Sequence, residues 1–467
     1  MIHRARKFLV LSLDSFSQSA AGLQMASVLP VALLAICGGI GSSIPAAAAE
    51  PAPTDAELTA TSAAVEALRA NPELAAAFAA IEAAQGRMIQ AGLWSNPQLQ
   101  IAGLSDVAFE NQGERSVNVD LQQRFPVAGR LARAREVARV DVALALAEAR
   151  DFARRLIGDV QRTAYGLAAL DQAIASRESV IRTAAQLLEA ATHRRQAGEV
   201  SDADVNLLRI EIARFEQEKR RLELDRKTEA VRLNQLMNRA VDAPVWLSAE
   251  LSSPAFDPSR AAGALTRRPD LEGVRLAIDR ARADARLAHA ESWEDWTVGA
   301  GYANDRQVFG GQQGFGPNGQ TLFDKDKFLG LSVGVPFPLW NRNQGRVVTA
   351  RADEKRATAL LAAAERTAEG EVATAQTRVE ELARVAREYD DSLLPLSQRN
   401  VELLERGYRQ GLAPITTFVQ AEQQLSDTFL RRAQTLGELR QAEIDLETAA
   451  AASPLLGAPP STPETRP

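Results

Sequence analysis

The residues best suited to chemistry are few and widely spaced. His3, His193 and His289 are the only histidines, and Cys37 is the only cysteine. A protein metal site needs several such ligands close together, so this spacing predicts none. The glycine-rich segment 310–320 lacks both the lysine and the following helix that a phosphate-binding loop requires. No Ser/His/Asp arrangement stands out, so neither a cofactor nor an enzymatic activity is expected.

The composition is typical of long helices packed side by side rather than of a thick globular core. Hydrophobic residues make up 46% of the 467 residues, with alanine prominent among them, and aromatic residues make up only 5%. After residue 50 the chain has no run of eighteen consecutive apolar residues, so no transmembrane helix is expected there. We therefore expect a mainly α-helical chain with a small β part.

Residues 1–49 are predicted to be a secretory signal peptide. Basic residues near the start precede an apolar stretch, 28–40, and four alanines that end at Ala49. Cys37 leaves two alternatives open: LAIC resembles the site of a lipid-anchored cysteine, although Ile36 stands where a small residue is usual, and cleavage after Ala49 would remove the cysteine. An exported chain with a net charge of −6 is not expected to bind nucleic acid.

Two segments far apart in the chain follow the same pattern. SVNVDLQQRFPVAGR (116–130) and LGLSVGVPFPLWNRNQGR (329–346) each alternate apolar and polar residues, reach a Phe-Pro pair and lead into a long helix-forming segment. The turns RRQAGEVSDADV and GYRQGLAPITTFV also correspond, which indicates an internal duplication. The sequence predicts a first repeat over 50–240, a linker over 241–258, a second repeat over 259–452 and a disordered tail over 453–467.

Helical segments account for most of each repeat. In the first repeat, the patterning predicts helices over 55–92, 129–193 and 202–238, with an interruption at Pro72. In the second repeat, it predicts helices over 260–292 and 345–410 and a last helix that ends near 451. At about 1.5 Å per residue, the helix over 129–193 would be about 95 Å long, which indicates an elongated molecule.

Four short strands begin near residues 96, 116, 295 and 329, and their side chains alternate with a period of two. The predicted apolar faces carry Leu99, Ile101, Val117, Val119, Leu121, Trp296, Val298, Tyr302, Leu329, Leu331, Val333 and Val335. The opposite faces are polar or rich in glycine and include Asn118, Asp120 and Gln122.

A half-buried sheet of a soluble protein would alternate in the same way. The strand length, the predicted export and the aromatic residues near the strand ends instead favour strands that cross an outer membrane. Their apolar faces would then meet lipid and their polar faces would line a water-filled lumen. Because four strands cannot close a barrel and open edges are not tolerated in lipid, several chains would share one barrel.

The sequence resembles the TolC-type outer-membrane efflux channels over about 55–451. The resemblance rests on the duplicated order of elements, on NPQL at the first strand, on QRFPVAGRLARAR and VPFPLWNRNQGR at the strand-to-helix junctions, and on YRQGLAPITTFVQAEQQL at the second turn. The strand-to-helix junctions are most similar to those of the CzcC-like heavy-metal efflux branch.

The resemblance implies a homotrimer with a 12-stranded β-barrel in the outer membrane of a Gram-negative cell and a periplasmic α-helical barrel. It also implies passive transport, with a periplasmic adaptor and an inner-membrane RND-type pump as partners. Heavy-metal cations are the expected cargo, and drugs or small organic molecules are the alternative. A soluble periplasmic coiled-coil or adaptor protein is the alternative from a different class.

The resemblance also implies that the two helix-reversing turns form the periplasmic tip, which would gate the channel and dock the adaptor. The corresponding residues are Arg195, Gly198, Ser201, Asp202 and Asp204 in the first turn and Tyr408, Arg409, Gly411, Thr416 and Thr417 in the second. Gly198 and Gly411 would serve either a left-handed helix end or direct adaptor contact. Asp202 would either cap the following helix or, like Asp204, form part of an acidic ring that favours cations.

Overall fold

The computed structural model describes residues 58–108, 113–198, 200–248, 251, 266–308, 323–410 and 412–456. The predicted signal peptide, the segment 310–320, Gly411 and residues 457–467 lie outside these ranges. The elements are α1 (Ala60–Ala70), α2 (Pro72–Ala91), β1 (Gln98–Ser105), β2 (Arg115–Phe125), α3 (Arg130–Gln196), α4 (Asp202–Leu236), α5 (Pro269–Ala290), β3 (Trp296–Val308), β4 (Phe323–Gly334), α6 (Gln344–Glu388), a π-helical turn (Tyr389–Leu393), α7 (Leu394–Arg409), α8 (Ile415–Ala449) and a short 3-10 helix (Pro454–Leu456).

The order of elements is the same in both halves of the chain. Helix, two strands, a long helix and a returning helix occur from α1 to α4 and again from α5 to α8. The long helix α3 has 67 residues and is therefore about 100 Å long. The first predicted helix is divided before Pro72, where the side chain of Asn71 accepts hydrogen bonds from the N–H groups of Glu73 and Leu74. No described helix is both long and apolar enough to cross a membrane.

The second long helix is not continuous, although the sequence predicts one helix over 345–410. It ends as an α-helix at Glu388, passes through the π-helical turn and continues as α7. The reason is Pro395, which has no N–H group to donate and whose ring would collide with the carbonyl group of Asp391 one turn earlier. The wider π turn accommodates this proline without ending the rod.

The helical core is built largely from alanine and short aliphatic residues. Ala64, Val160, Leu167 and Leu233 are fully buried where α1, α3 and α4 meet. Small side chains allow helices to pack closely over long distances, which agrees with the alanine-rich composition. The segment 453–467, predicted to be a disordered tail, has ordered residues at its start. Its first residues form the 3-10 helix, and Leu455 and Leu456 pack against this core because they are apolar.

The four strands form one antiparallel sheet in the order β1-β2-β3-β4. The sheet joins the two repeats through the pairing of β2 with β3. The sequence pattern places Val335 on the apolar face of the fourth strand, and the structure corrects this prediction because β4 ends at Gly334. Val335 precedes Pro336, and a proline cannot donate a hydrogen bond to a neighbouring strand, so the pairing stops there.

Candidate functional site: the two faces of the sheet and the helical tip

The cross-strand register brings the predicted apolar residues of all four strands together. Leu99 lies opposite Leu121, Val119 lies opposite Tyr302, and Tyr302 lies opposite Leu329. Directly paired residues share a face, so the strands form one continuous apolar face. Its members are Leu99, Ile101, Val117, Val119, Leu121, Trp296, Val298, Tyr302, Leu329, Leu331 and Val333. Leu331 is 84% exposed, so this face is uncovered in a single chain.

Aromatic side chains collect where the sheet meets the helices. Trp94 packs edge-on against Phe125 with their ring centres 5.6 Å apart, and Trp296 lies opposite Phe125 in the sheet. Phe337 and Trp340 follow β4 and are also exposed. This grouping at one end of the apolar face is typical of the aromatic belts at membrane–water interfaces.

The opposite face, here called the polar face, carries Asn118, Asp120 and Gln122 as predicted. Asp120 lies opposite Gly301, and a methyl group at Gly301 would collide with the carboxylate of Asp120. The glycine therefore leaves room for a charged neighbour.

Three further carboxylates, those of Asp305, Asp324 and Asp326, lie on the polar face and were not among the predicted residues. Asp305 accepts a hydrogen bond from the hydroxyl group of Ser116 and lies directly opposite Asp326. The signal was present in the DKDK run of 324–327, but only the register shows which face each charge occupies.

Both junctions from strand to long helix require a left-handed backbone. In the first repeat Ala128 and Gly129 have φ values of 55° and 69°. In the second repeat the left-handed residue is Asn343, with a φ of 58°, and not the glycine of the Gly-Arg step, which lies inside α6. Asparagine is among the few residues that adopt this conformation readily. Its side chain also donates a hydrogen bond of 3.0 Å to the carbonyl oxygen of Ala288, which fixes α6 to the end of α5.

Ion pairs hold the junctions in place. Arg130, the first residue of α3, lies 2.5 Å from Asp295 just before β3. Arg346 binds Asp284 of α5 through two hydrogen bonds of 2.7 Å and 2.5 Å, and this carboxylate raises the pKa of Arg346. The pair of Arg130 and Asp295 therefore fixes the two repeats to each other close to the sheet, and the pair of Arg346 and Asp284 fixes α6 to α5 within the second repeat.

The helix α5 lies between the two long helices and is paired with both. Arg286 contacts Glu136 of α3 at 2.6 Å, and Arg282 contacts Glu354 of α6 at 3.0 Å. Hydrogen bonds from Arg286 and then from Arg133 hold the pKa of Glu136 below its ordinary value.

At the first predicted turn, the backbone reverses through Gly198, whose φ is 80°. The N-cap residue of α4 is Ser201, so the alternative in which Asp202 caps this helix is wrong. The Ser201 side chain accepts from the N–H of Asp204, and the Asp204 carboxylate accepts from the hydroxyl group of Ser201 at 2.7 Å. The same carboxylate also accepts from the backbone N–H of Ser201 at 3.3 Å, so Ser201 and Asp204 form a capping box at the start of α4. Asp202 is 78% exposed and pairs with Arg195 at 2.9 Å.

At the second turn, the ring of Tyr408 contacts both hairpins. Its ring stacks on Phe418 of α8, and the guanidinium carbon of Arg194 from α3 lies over the same ring at 5.0 Å from its centre. Thr417 donates to the carbonyl oxygen of Pro414 at 2.8 Å, which supports the first turn of α8.

The remaining predicted residues of the second turn do not meet at one point. Arg409 pairs with Glu405 at 2.6 Å within α7, Thr416 is exposed, and Gly411 lies outside the described residues.

A small apolar cluster lies beneath both turns. Ala191 of α3, Val205 and Leu208 of α4, and Ile415 and Val419 of α8 are buried together. The structure therefore places the two predicted turns side by side at one end of the molecule, at the far ends of the helices that lead away from the sheet.

A buried arginine joins three helices farther from the tip. Arg177 of α3 has only 2% of its side chain exposed and donates to the hydroxyl group of Ser426 at 2.8 Å. It lies 3.0 Å from a carboxylate oxygen of Glu218 and 5.1 Å from the ring centre of Phe215. No predicted site included it, because a single arginine in a charge-rich helix gives no signal of burial.

Within the described ranges, no three His, Cys, Asp or Glu side chains lie close enough together to hold a metal ion.

Comparison with known proteins shows the family to which the chain belongs. The sequence model described as "Outer membrane efflux protein" matches residues 63–239 and 262–452, which is most of the chain. The chain belongs to the outer membrane efflux protein family. This assignment confirms the predicted family, and it favours a channel over the adaptor or coiled-coil alternative.

Solved structures of outer membrane efflux proteins share the fold. The chain superposes on CusC with a TM-score of 0.68 at 16% sequence identity, over 84% of this chain and 91% of that chain. For VceC from Vibrio cholerae the TM-score is 0.65 at 19% identity, over 84% and 95% of the two chains. For MtrE from Neisseria gonorrhoeae, solved in an open state, it is 0.64 at 16% identity, over 84% and 88%. No curated protein sequence matches the chain.

Outer membrane efflux proteins are homotrimeric channels that work with an adaptor and a pump in tripartite systems. They are channels and not enzymes. The mainly helical fold with a small antiparallel sheet is as predicted, and it is the fold of these channels. The CzcC-like branch and the roles of the individual site residues stay predictions.

Proposed function

We propose that three copies of this chain form the outer-membrane channel of a tripartite efflux system, which conducts exported substrate passively from the periplasm to the exterior. The observation that carries the proposal is the register of the sheet. It gathers apolar residues from both repeats on one exposed face. Monomeric soluble proteins rarely expose so extended an apolar surface, whereas the lipid-facing side of a membrane-spanning strand must be apolar.

The edges of the sheet support assembly into a trimer. β1 and β4 are the outermost of the described strands, so each leaves a row of backbone N–H and C=O groups unpaired. Such edges are not tolerated in lipid. Pairing the β1 edge of one copy with the β4 edge of the next would close a barrel of twelve strands from three copies. The apolar face would then meet lipid, the polar face would line the lumen, and the long helices would cross the periplasm.

The tip is the proposed gate and the docking site for a periplasmic adaptor, which would connect the channel to an inner-membrane RND-type pump. Both turns lie at the end of the helices away from the sheet, where a partner in the periplasm would meet them. The contact of Arg194 with Tyr408 joins the two hairpins and is suited to holding the tip closed. The pair of Arg195 and Asp202 is exposed and available to a partner.

Heavy-metal cations are the cargo that we propose, on two grounds. The polar face carries the carboxylates of Asp120, Asp305, Asp324 and Asp326, and rings of carboxylates favour cations in a channel. The strand-to-helix junctions also resemble those of the CzcC-like branch. Drugs or small organic molecules are the second candidate cargo, because the family model that the chain matches does not distinguish between the two classes of cargo.

The test is the growth of a deletion strain on zinc, cobalt, cadmium, nickel, copper and silver salts, and on common dyes and antibiotics. We expect sensitivity confined to some of the metals. The intact gene should restore growth, and a gene lacking the turn 196–202 should not. The control is Glu216→Gln, a substitution inside α4 and away from both turns, which should restore growth fully.

Sensitivity to dyes and antibiotics with normal metal tolerance would contradict the metal cargo and leave the channel in place. Full restoration by the gene that lacks the turn would contradict docking at the tip. Normal growth of the deletion strain under every condition would contradict the efflux role itself.

A further inference from the structure

The loop end of β4 separates its charges by sign. The strand begins FDKDK, so Asp324 and Asp326 alternate with Lys325 and Lys327. Successive side chains of a strand point to opposite faces, so every second residue lies on the same face. Counting back in steps of two from Leu331 and Leu329 leads to Lys327 and Lys325. Both lysines therefore lie on the apolar face, and both aspartates lie on the polar face.

The register extends this separation across the sheet. Arg115 of β2 lies directly opposite Arg306 of β3, and Arg306 lies directly opposite Lys325 of β4. Lys327 lies two residues closer to the middle of the sheet, opposite Asn304. These four cations, here called the basic row, stand at the loop end of the apolar face. Like charges directly opposite each other destabilise a sheet, so the basic row requires a compensating anion.

The described part of the chain does not supply that anion. Arg115, Arg306, Lys325 and Lys327 form no ion pair with any described residue, and the buried Nε of Arg306 has no hydrogen-bond partner there. Two of the cations instead contact an aromatic ring, that of Phe323. The guanidinium carbon of Arg306 lies 4.2 Å and the ammonium nitrogen of Lys325 lies 5.3 Å from the ring centre of Phe323.

The basic row follows directly after the apolar residues. Arg115 is two residues before Val117 on the same face, which places it about 7 Å farther along the strand. The aromatic residues Phe125 and Trp296 stand at the opposite, helix-side end of the same face. Going away from the helices, this face therefore presents aromatic rings, then mainly aliphatic side chains, then cations, and the cations surround the ring of Phe323 in the last pair of the sheet, Val308 and Phe323.

That order matches one half of a lipid bilayer, in which hydrocarbon is followed by charged headgroups. We propose that the basic row binds the phosphate groups of anionic lipid headgroups in the outer leaflet of the membrane. The inference rests on the proposed function, which puts the apolar face in lipid and the loop end at the cell exterior. Arginine and lysine bind phosphate through charge-assisted hydrogen bonds, and long basic side chains reach from an apolar surface to the headgroup level.

The proposal is tested with the full-length chain in phosphatidylcholine nanodiscs. Diphosphoryl lipid A is added, and the shift in melting temperature is compared with that caused by lipid A from which both phosphates have been removed. We expect a larger shift with the phosphorylated lipid, and a decrease of that difference as salt is raised. The variant Arg115→Gln/Arg306→Gln/Lys325→Gln/Lys327→Gln should lose most of the difference, and Lys325→Gln/Lys327→Gln alone should lose about half of it.

The matched control is Asp324→Asn/Asp326→Asn, which changes the same strand on its other face and should keep the full difference. Equal shifts with the two forms of lipid A in the wild-type protein would overturn the inference. An undiminished difference in both glutamine variants would overturn it as well. Neither result would contradict the proposed channel function. A wild-type chain that entered no bilayer at all would instead contradict the proposed function and this inference together.

Discussion

The guanidinium carbon of Arg194 lies 5.0 Å from the ring centre of Tyr408, and this contact joins the two helical hairpins at their tip. Tyr408 also stacks on Phe418, with ring centres 6.1 Å apart and planes 4° from parallel. The hydroxyl oxygen of Tyr408 is buried and has no hydrogen-bond partner among the described residues. The aromatic ring of Tyr408, and not its hydroxyl group, therefore holds the hairpins together.

Replacing Tyr408 with alanine should loosen the tip. The change removes a cation–π contact and an aromatic stack, each worth about 0.5–1 kcal/mol. We expect Tyr408→Ala to increase the open fraction of the channel several-fold, because three copies of the contact are lost. Single-channel conductance of the reconstituted trimer measures this fraction directly. Tyr408→Phe keeps both ring contacts and should behave as the wild type; a phenylalanine variant as open as the alanine variant would show that the hydroxyl group matters after all.

Removing the buried cation of Arg177 should destabilise the helical bundle. Arg177→Met keeps much of the side-chain volume but leaves Ser426 without its partner and leaves Glu218 with only the exposed Arg214. Breaking a buried ion pair typically costs about 3–5 kcal/mol of the free energy of unfolding. Glu218 is 37% exposed and regains some hydration, so we expect a smaller loss of about 2–3 kcal/mol here. The loss is measured as a lower melting temperature of the helical circular dichroism signal.

The control for Arg177 is Arg214, which pairs with the same carboxylate at 3.3 Å but is 63% exposed. Arg214→Met should cost less than about 1 kcal/mol, because exposed ion pairs contribute little. Equal losses in the two variants would mean that burial of Arg177 is not what gives its contacts their strength.

Much of the fold follows from periodicity, and the sheet illustrates this. The alternation of Val117, Val119 and Leu121 was sufficient to assign their face, because a period of two leaves only two choices. The end of β4 was less certain: apolar alternation continues through Val335, and only the missing N–H group of Pro336 ends the pairing. The break in the second long helix has a similar cause, since the sequence shows Pro395 but not whether a π turn absorbs it.

The candidate sites were less predictable because they depend on contacts between distant segments. Nothing near Arg194 in the sequence indicates that it lies over the ring of Tyr408. The helix cap at Ser201 and the separation of charges in the basic row were visible in the local pattern, but the first has a competing neighbour in Asp202 and the second needs the register. Sequence patterns fix which residues share a face, whereas the packing of the helices decides which faces meet.

The tip should become less stable as Glu422 ionises. Burial among apolar residues, and then the negative charge of Glu405, raise the pKa of Glu422 above its ordinary value of 4.5. Because the folded pKa is the higher one, protonation favours the native state, and stability is lost as pH rises through that pKa. We expect Glu422→Gln to melt at a higher temperature than the wild type at about pH 8, with the gain vanishing near about pH 4.

The control for this pH effect is Glu216→Gln, at a carboxylate that is exposed and pairs with Arg220 at 3.4 Å. Exposed ion pairs contribute little, so the melting temperature of this variant should stay close to that of the wild type. A constant difference between Glu422→Gln and the wild type from about pH 4 to about pH 8 would contradict a raised pKa at Glu422.

Adjacent residues of β2 provide a test of which face meets lipid. Val119 lies on the apolar face and Asn118 on the polar face. An arginine on the lipid side near the middle of a membrane strand costs about 2–4 kcal/mol, so Val119→Arg should greatly reduce the amount of heat-stable trimer in the outer-membrane fraction. Asn118→Arg should be tolerated, because it would face water. The reverse result would mean that the two faces have been assigned the wrong way round.

Neutralising the polar face should change ion selectivity without changing assembly. Asp120 lies beside Gly301, and Asp305 lies opposite Asp326 nearer the loop end, so their carboxylates follow one another along the same face. In a trimer each carboxylate would be present three times and would raise the local concentration of cations. Asp120→Asn/Asp305→Asn should therefore shift the reversal potential in a salt gradient toward that of a non-selective pore, with normal trimer yield. Lys325→Gln, on the other face of the same sheet, should leave the reversal potential unchanged, and an equal shift in that variant would contradict a lumen position for the carboxylates.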